Sequence, residues 1–184
     1  MELMTLMVPM IPSPAAGLLV VDDFARDDGR SLLGTSWRLV TDRVMGGLSS
    51  GRLCVGEQYD RRALCLSGKV SLANNGGFVQ VILDLDSNGT LDVSGLSGLY
   101  LVARGNGQDY NVHLKTPETV LPWQSYRAGF HASDEWREVR LPFHGFKPHR
   151  LETPLDTHRL SRIAIVAIGR PMAAEVYLSG VGFY

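Results

Sequence analysis

Two aspartates near the middle of the chain have the spacing of a catalytic acid pair. Asp84 and Asp86 stand two residues apart in a segment with a strand pattern, so their side chains fall on the same face. Paired carboxylates can act as the acid and the base of a glycoside hydrolase. The same pair at a strand end is also typical of a solvated edge or a turn, and we favour that interpretation.

The histidines and the glycine-rich turns form no catalytic or metal-binding motif. None of the five histidines stands at the i, i+4 helical spacing of a zinc site. The chain lacks an H-E-x-x-H motif and a phosphate-binding P-loop, and residues 105–107 (Gly-Asn-Gly) match only the start of a dinucleotide loop. We interpret that triplet as a hairpin turn. The sequence therefore predicts a protein that is not an enzyme.

Other side chains have the chemistry of a binding surface. In segment 110–116, Asn111, His113 and Lys115 share one face by strand alternation, opposite an apolar face. Polar and aromatic groups together on a rigid sheet are typical of binding sites. We predict that residues from other segments complete this polar-aromatic face: Gln80, Trp123, Ser125, Tyr126, Arg127 and His131.

Trp123 and Tyr126 supply the aromatic part of this predicted face. Either ring could stack on a sugar, a base or an apolar side chain. Trp123 follows Pro122 in a loop, which favours exposure. The other two tryptophans, Trp37 and Trp136, are predicted to belong to the core.

Two glycine-rich loops are a second candidate for binding. Residues 43–47 (Arg-Val-Met-Gly-Gly) follow one strand pattern, and residues 74–77 (Asn-Asn-Gly-Gly) precede the most apolar one. Glycine tolerates positive φ and asparagine the left-handed region, so both loops can form tight turns. Arg43 and Met45 could contact a partner, although Met45 could equally fold back over one end of the domain. Asn75 is a further candidate, but it could instead bond to the backbone of its own loop.

Two further pairs of residues could stabilise the fold. Asp22 and Asp23 supply oxygen ligands suited to a structural calcium ion, although two acids at a strand end are also ordinary solvated residues. Cys54 and Cys65 lack metal-site spacing and stand eleven residues apart, in segments that a hairpin could bring together. We interpret them as a reduced pair in a cytoplasmic protein. No other cofactor is predicted.

The segments that must position these residues are short apolar runs separated by turn-forming residues. The chain has 20 glycines and nine prolines, and no long window has helical periodicity. Strands are predicted at 18–24, 37–41, 52–55, 63–67, 77–85, 98–103, 110–116, 125–131, 137–141, 162–168 and 175–184. A short helix is predicted near 156–160. The spacing predicts an all-β sandwich or barrel, with the doubly apolar strands at 77–85 and 162–168 inside a sheet.

Length and charge limit what this domain can do. A chain of 184 residues forms one ordinary domain, which we place at 17–184, after a flexible leader at 1–16. The leader is apolar, but Pro9, Pro12 and Pro14 interrupt it, so no membrane span is predicted. Eighteen basic and 19 acidic residues leave a net charge of −1, which argues against binding nucleic acid by bulk phosphate attraction.

The order of several motifs resembles the complex I intermediate-associated protein 30 domain family. The most specific part is the pair D-R-V-M-G-G at 42–47 and N-N-G-G-F at 74–78. Matching residues extend the resemblance over about residues 20–184: Asp22, Asp23, Phe24, Trp37, Ser49, Gly68, Lys69, Gly98, Tyr110, Tyr126, Phe130, Trp136, Leu141, Pro142 and Phe143.

This resemblance implies a fold and a role. The fold is a two-sheet β-sandwich, a jelly roll of the galactose-binding type. The role is that of a non-catalytic assembly factor, a chaperone for NADH:ubiquinone oxidoreductase, with subunits of the respiratory complex as protein partners. Because carbohydrate-binding modules share the fold, a module that binds a glycan or small ligand through the polar-aromatic face is the alternative. The expected location is cytoplasmic, with peripheral membrane association through a partner left open.

Overall fold

The computed structural model describes residues 17–184, so the predicted leader at 1–16 lies outside the described residues. Twelve strands are described in chain order: β1 (Leu19–Asp22), β2 (Arg38–Thr41), β3 (Ser50–Gln58), β4 (Arg61–Val70), β5 (Phe78–Asp84), β6 (Gly98–Gly105), β7 (Gln108–Lys115), β8 (Ser125–Ala132), β9 (Arg137–Pro142), β10 (Lys147–His149), β11 (Arg162–Ile168) and β12 (Met172–Phe183). Three 3₁₀ helices lie in the connections: Asp42–Met45, Ala73–Asn75 and Phe143–Gly145. None of the helices described for residues 17–184 is long and apolar enough to cross a bilayer.

The strands pair antiparallel in two six-stranded sheets. The first sheet has the order β3-β4-β12-β6-β9, with β1 also paired to β12. The second sheet has the order β10-β8-β7-β11-β5-β2. This arrangement confirms the predicted all-β fold and the two-sheet sandwich that the resemblance implied.

Strand alternation decides which side chains fill the space between the sheets. In β7, Tyr110, Val112 and Leu114 are fully buried in the core, where each apolar side chain stabilises the fold by about 1.5–3 kcal/mol. The intervening residues of β7 must therefore face outward. The predicted outer position of Asn111, His113 and Lys115 follows from this alternation.

The second sheet also carries apolar residues on its outer face. β5 and β11 lie next to each other inside this sheet, as their doubly apolar patterns predicted. Ile82, Ala164 and Val166 form a small buried cluster there, separate from the main core. The partly buried side chains Val40, Phe78 and Ile168 pack against that cluster. Part of the outer face of β11, β5 and β2 is thus apolar.

The prediction of a helix near 156–160 is wrong. Asp156 accepts a hydrogen bond from His158 N at 3.0 Å, a local side-chain contact that supports a turn in place of a helix. Leu160 then forms an isolated antiparallel bridge with Leu91. β10 is an additional strand that the sequence pattern did not indicate, since it has only three residues and contains Pro148.

The prediction of a hairpin at residues 105–107 is also wrong. β6 ends at Gly105 in the first sheet and β7 begins at Gln108 in the second, so this short connection crosses between sheets. Gly107 has a φ of 75°, which supports a sharp change of direction. A tight turn therefore does not by itself show that its flanking strands pair with each other.

The cysteines lie in the β3–β4 hairpin, where Cys54 and Cys65 stand directly opposite each other. They form a disulfide with a Cα–Cα distance of 5.1 Å, which corrects the prediction of a reduced pair. The expected hairpin proximity is confirmed.

Candidate functional site

A buried carboxylate joins two loops at one end of the sandwich. Asp42 is fully buried at the start of the 3₁₀ helix after β2. Its Oδ2 accepts hydrogen bonds from Gly77 N at 2.6 Å and Phe78 N at 3.3 Å. Both the backbone N of Ser49, at 3.0 Å, and its hydroxyl, at 2.5 Å, donate to the same carboxylate. One side chain therefore connects the segment before β3 to the segment before β5.

The hydrogen bonds of Asp42 favour its ionised form. Burial by itself raises the pKa of this carboxyl group, because a low-dielectric environment disfavours charge. The donors Ser49, Gly77 and Phe78 outweigh burial and hold the pKa of Asp42 below its usual value of 3.8. The carboxylate is therefore charged and fully engaged at neutral pH.

Glycine is required at two positions around this carboxylate. A Cβ atom added at Gly47 or at Gly76 would overlap the Asp42 side chain. A further link runs from Asn74 Nδ2, which donates to Gly46 O at 3.3 Å. We call the two connected loops, residues 41–49 and 71–78, the loop junction. The paired glycine motifs thus enclose one buried charge.

Residues 47–51 read G-x-S-x-G, the pattern of a hydrolase nucleophile elbow. In the structure, the serine of this pattern, Ser49, has a different role. Ser49 is fully buried, its hydroxyl donates to Asp42, and it accepts a hydrogen bond from Ser71 N at 2.9 Å. Among the described residues no histidine bonds to it, and it lies between a 3₁₀ helix and a strand. Ser49 is a structural member of the loop junction.

The loop junction exposes apolar side chains on its outer side. Val44, Met45, Leu48 and Leu72 are between 46% and 73% exposed. Met45 therefore points into solvent and does not close the end of the sandwich. We call these four residues the apolar tip. Because Asp42 fixes the backbone beneath them, the tip is held on a rigid support.

The other candidates from these loops lie beside the apolar tip. Arg43 is exposed, and its Nε donates to Ser49 O at 3.0 Å, which leaves the rest of the guanidinium group free to contact a partner. Asn75 is exposed with a φ of 57°, the left-handed conformation that asparagine tolerates. Both residues belong to the surface around the tip.

The second sheet brings several predicted binding residues together on its outer face. His113 of β7 stands opposite Arg127 of β8, and Asn111 and Lys115 flank His113 on the same face. Ser125 lies beside Arg127 and accepts a hydrogen bond from its Nε at 2.8 Å. We call these five residues the polar face.

Gln80 and His131 lie farther along the same sheet. Gln80 is on the outer face of β5, with β11 between it and β7. His131 is exposed and pairs with Asp109 at 2.8 Å. Neither belongs to the compact group around His113.

Most of the predicted aromatic part of this face lies elsewhere. Tyr126 is fully buried on the core side of β8, where its hydroxyl donates to Thr153 O at 2.7 Å. Trp123 is 55% exposed in the loop before β8, as its position after a proline predicted. Trp37 is in the core, but Trp136 is only half-buried and donates to Tyr59 O at 3.1 Å. The polar face is therefore richer in cations than in aromatic rings.

The predicted calcium ligands serve as hydrogen-bond acceptors. Asp22 is buried, its Oδ1 accepts from Phe24 N at 2.8 Å and its Oδ2 from Trp37 Nε1 at 2.9 Å. Burial raises the pKa of Asp22 despite these bonds. Asp23 accepts from Ala25 N at 3.1 Å in an exposed turn. Residues 17–184 contain no group of three or more metal-ligating side chains, and calcium binding stays a prediction.

Asp84 and Asp86, the predicted acid pair, lie in different environments. Asp84 pairs with Arg38 and with Arg162, each at 2.7 Å, whereas Asp86 is exposed in the following loop. Both aspartates line an open cleft of about 700 Å³ at the end of the second sheet, together with Lys115. A carboxylate held between two guanidinium groups is suited to ion pairing, which agrees with the solvated-edge interpretation.

The loop junction contains the two motifs that carry the family resemblance. A family model confirms this resemblance. The model described as complex I intermediate-associated protein 30 matches residues 24–176. The chain belongs to this family. The matched segment includes the loop junction and the polar face, but a search of curated proteins gives no match.

Several solved structures similar to this chain are carbohydrate-binding modules. A family 11 module from Clostridium thermocellum, solved with a beta-1,3-1,4-mixed-linked tetrasaccharide, has a TM-score of 0.70 and 13% identity, covering 92% of this chain and 96% of that one. A family 30 module has a TM-score of 0.55 and 15% identity, covering 73% of each chain. At these identities the likeness shows the jelly-roll fold alone.

Asp42 was not among the functional residues predicted from the sequence. Its motif was recognised, but the acid itself looked like one more polar residue in a turn. A usable signal existed: Asp42 is the single acid of the first motif, and both motifs contain glycines whose backbone N–H groups need acceptors. Such a pattern predicts a carboxylate that bonds to two loops at once.

Proposed function

We propose that this chain is a non-catalytic assembly factor of a respiratory complex, and that it docks on its protein partner through the apolar tip. The observation that carries the proposal is the exposure of Val44, Met45, Leu48 and Leu72 on loops fixed by a buried carboxylate. Family membership supports the assembly role, since the matching model is described by association with a complex I intermediate.

The apolar tip has the physical properties of a protein-binding surface. Single exposed apolar residues are normal, but several on two adjoining loops mark an interaction site. Methionine adapts to the shape of a partner because its side chain is unbranched and flexible. The loops need little ordering on binding, which lowers the entropic cost of association.

Arg43 adds a polar edge to this surface. Its Nε is engaged with Ser49 O, which orients the guanidinium group beside the apolar tip. Arginine is enriched in protein interfaces, where its planar fork binds carboxylates and backbone oxygens. We therefore expect an apolar pocket bordered by an acidic or carbonyl group on the partner subunit.

Gene deletion followed by complementation tests the proposal. We expect deletion to lower the amount of assembled complex I on a native gel and the wild-type gene to restore it. A Met45→Asp/Leu48→Asp variant should fold but fail to restore assembly, because charge on the tip prevents apolar docking. The matched control is Val120→Asp, which introduces the same charge at a 78% exposed position in another loop.

Two results would contradict the proposal at different levels. Unchanged complex I after deletion would remove the assembly role. Full restoration by the double variant, with deletion still harmful, would keep the role and assign docking to another surface.

Carbohydrate binding is the second candidate function. It is favoured by Trp123, which is exposed on the loop that borders the open cleft of about 700 Å³. Aromatic rings beside a cleft can stack on sugar rings. A glycan array with the wild type and with Trp123→Ala tests it: loss of binding in the variant supports a sugar site, and no binding by the wild type removes the idea.

A further inference from the structure

Cationic side chains from three neighbouring strands lie on the polar face and beside it. His113 stands opposite Arg127 in the β7–β8 register, and Lys115 lies two residues along β7 on the same face. β10 adds His149, which pairs with Ser125. The main core occupies the other side of these strands, so the basic groups share the outer face.

These cations lack carboxylate partners. Arg127 Nε donates to the neutral hydroxyl of Ser125, and Lys115 Nζ donates to Pro122 O at 2.9 Å. Within residues 17–184 neither side chain forms an ion pair, whereas Asp84 on the same sheet is shared by two arginines. Neutral oxygen acceptors orient a cation but do not neutralise its charge.

The electrostatics of the group reflect this excess of positive charge. Burial lowers the pKa of Lys115, and the charges of Arg162 and Arg127 lower it further. Burial also lowers the pKa of His149, with added repulsion from Arg127 and Arg150. Like charges held together at a partly buried surface are stabilised by an anion.

His113 provides an independent sign of a missing ligand. The side chain is 6% exposed, and its Nε2 atom is buried without a hydrogen-bond partner. Burial, together with Arg127, Lys115 and His149, lowers the pKa of His113 to about 3, so the ring is neutral at pH 7. Buried polar atoms in native proteins almost always have partners, so an unpartnered one calls for an explanation. A neutral imidazole with its proton on Nε2 can donate to a ligand oxygen once the ring moves, because Nε2 is covered by protein atoms in the unliganded chain.

Short residues adjoin this group of cations. Ala164 stands beside His113 on β11, and Gly129 stands opposite Asn111 on β8. Both residues are short and uncharged, so neither neutralises the neighbouring cations.

We propose that His113, Lys115 and Arg127 form a binding site for an oxyanion, the carboxylate, sulfate or phosphate group of a small ligand. Arg127 supplies planar donors that suit two oxygens, Lys115 supplies a point charge, and His113 supplies a neutral N–H donor. A neutral ligand would leave the two full charges uncompensated. The site is distinct from the apolar tip, so it stands whether or not the docking proposal holds.

Titration of three anions tests the site. Isotope-labelled wild-type protein at pH 7 is titrated with sodium sulfate, sodium phosphate and sodium glucuronate, against sodium chloride at matched ionic strength. The readout is the imidazole resonances of His113. We expect a saturable shift with at least one oxyanion and no saturable shift with chloride. The anion that saturates first identifies whether the source is sulfate, phosphate or a sugar acid.

Charge-removing variants separate a site from a general salt effect. Arg127→Gln and Lys115→Gln should each weaken binding about tenfold, because each removes a charge-assisted hydrogen bond. Arg140→Gln is the matched control, since it removes a cation on the other sheet that pairs with Glu138. If Arg127→Gln does not fold, Lys115→Gln provides the same test.

The proposal is overturned by either of two results. One is the absence of a saturable His113 shift with all three oxyanions. The other is equal binding by Arg127→Gln, or by Lys115→Gln, and by Arg140→Gln.

Discussion

The loop junction and the polar face each bury one titratable side chain, and the hydrogen bonding of these two side chains is opposite. Asp42 is fully buried and accepts hydrogen bonds from Ser49, Gly77 and Phe78. His113 is nearly as buried, but its Nε2 has no partner. Buried polar groups are stabilising only when their hydrogen bonds are made. The satisfied group therefore belongs to the architecture, and the unsatisfied group marks a place where a ligand completes the protein.

This comparison also assigns different tasks to the two surfaces. At the loop junction the buried polar groups bond to one another, and the exposed surface is an apolar tip with Arg43 and Asn75 beside it. At the polar face the apolar contacts are internal, and what reaches solvent carries unneutralised charge. The first surface suits a protein partner, and the second suits an anion. The predictions below measure how far the two regions differ.

The largest effect is expected from removal of the buried carboxylate. Asp42→Ala leaves several buried N–H and O–H donors without an acceptor, so the free energy of unfolding should fall by about 3–5 kcal/mol. Urea denaturation measures it. Asp86→Ala, at an exposed acid, should change stability by less than about 0.5 kcal/mol. Equal effects of the two substitutions would break the claim that Asp42 holds the loops together.

A smaller effect is expected from crowding the same carboxylate. Gly47→Ala places a methyl group where the Asp42 side chain lies, and the unfolding free energy should fall by about 1–3 kcal/mol. Gly56→Ala in β3 meets no atom within 4 Å and is the matched control. A Gly47→Ala variant as stable as the wild type would show that the loop junction is looser than its hydrogen bonds indicate.

Acid should remove part of the contribution of Asp42. Because the folded-state pKa lies below the usual 3.8, ionised Asp42 contributes stability that is fully present above that value. The contribution is lost as the pH falls through the lowered folded-state pKa. The difference in unfolding free energy between wild type and Asp42→Asn, measured by urea denaturation at several pH values, should therefore shrink below about pH 4. A difference that grows in acid would contradict this sign.

At the polar face, in contrast to Asp42, we expect that replacing the buried side chain costs little or no stability. His113→Leu removes a buried nitrogen that makes no hydrogen bond, so stability should stay within about 1 kcal/mol of wild type or rise. The same variant should bind the oxyanion more weakly, as followed through the backbone amide resonances of β7 and β8, which do not depend on the His113 ring. His131→Leu, at an exposed histidine, is the control for both readouts. A loss of more than about 2 kcal/mol in His113→Leu would make His113 structural, like Asp42.

The smallest effect on stability is expected at the apolar tip. Met45→Asp changes a side chain that is 59% exposed, so the unfolding free energy should change by less than about 0.5 kcal/mol. The partner-dependent readout, assembly of complex I, should nevertheless fall. A large loss of stability would show that Met45 packs against the loops and does not face a partner.

The sequence pattern was sufficient for most of the fold. Alternation along 110–116 identified the core residues of β7, and turn residues separated the strands that the structure contains. Such signals are local, because the period of a strand and the conformations of glycine and asparagine depend on a few neighbouring residues. β10 was missed because three residues with a proline carry no period.

Two of the errors have one physical cause, which is that strand pairing is non-local. Residues 105–107 look like a hairpin turn, but β6 and β7 pair with strands of different sheets. The disulfide required Cys54 and Cys65 to be in direct register, which only the assembled hairpin determines. The placement of Tyr126 on the binding face is a different error, because its local alternation with Ser125 and Arg127 already puts it in the core.

The sequence by itself therefore determined the fold class, the outer position of His113 and Lys115, and the family, because each depends on local pattern or motif order. Only the tertiary structure decided that Asp42 closes two loops 35 residues apart, and that His113 is buried beside unpaired cations without a partner. Hydrogen-bond satisfaction and charge neutralisation depend on every group within a few ångströms. Those groups come from strands far apart in the chain, so folding has to bring them together before their chemistry is defined.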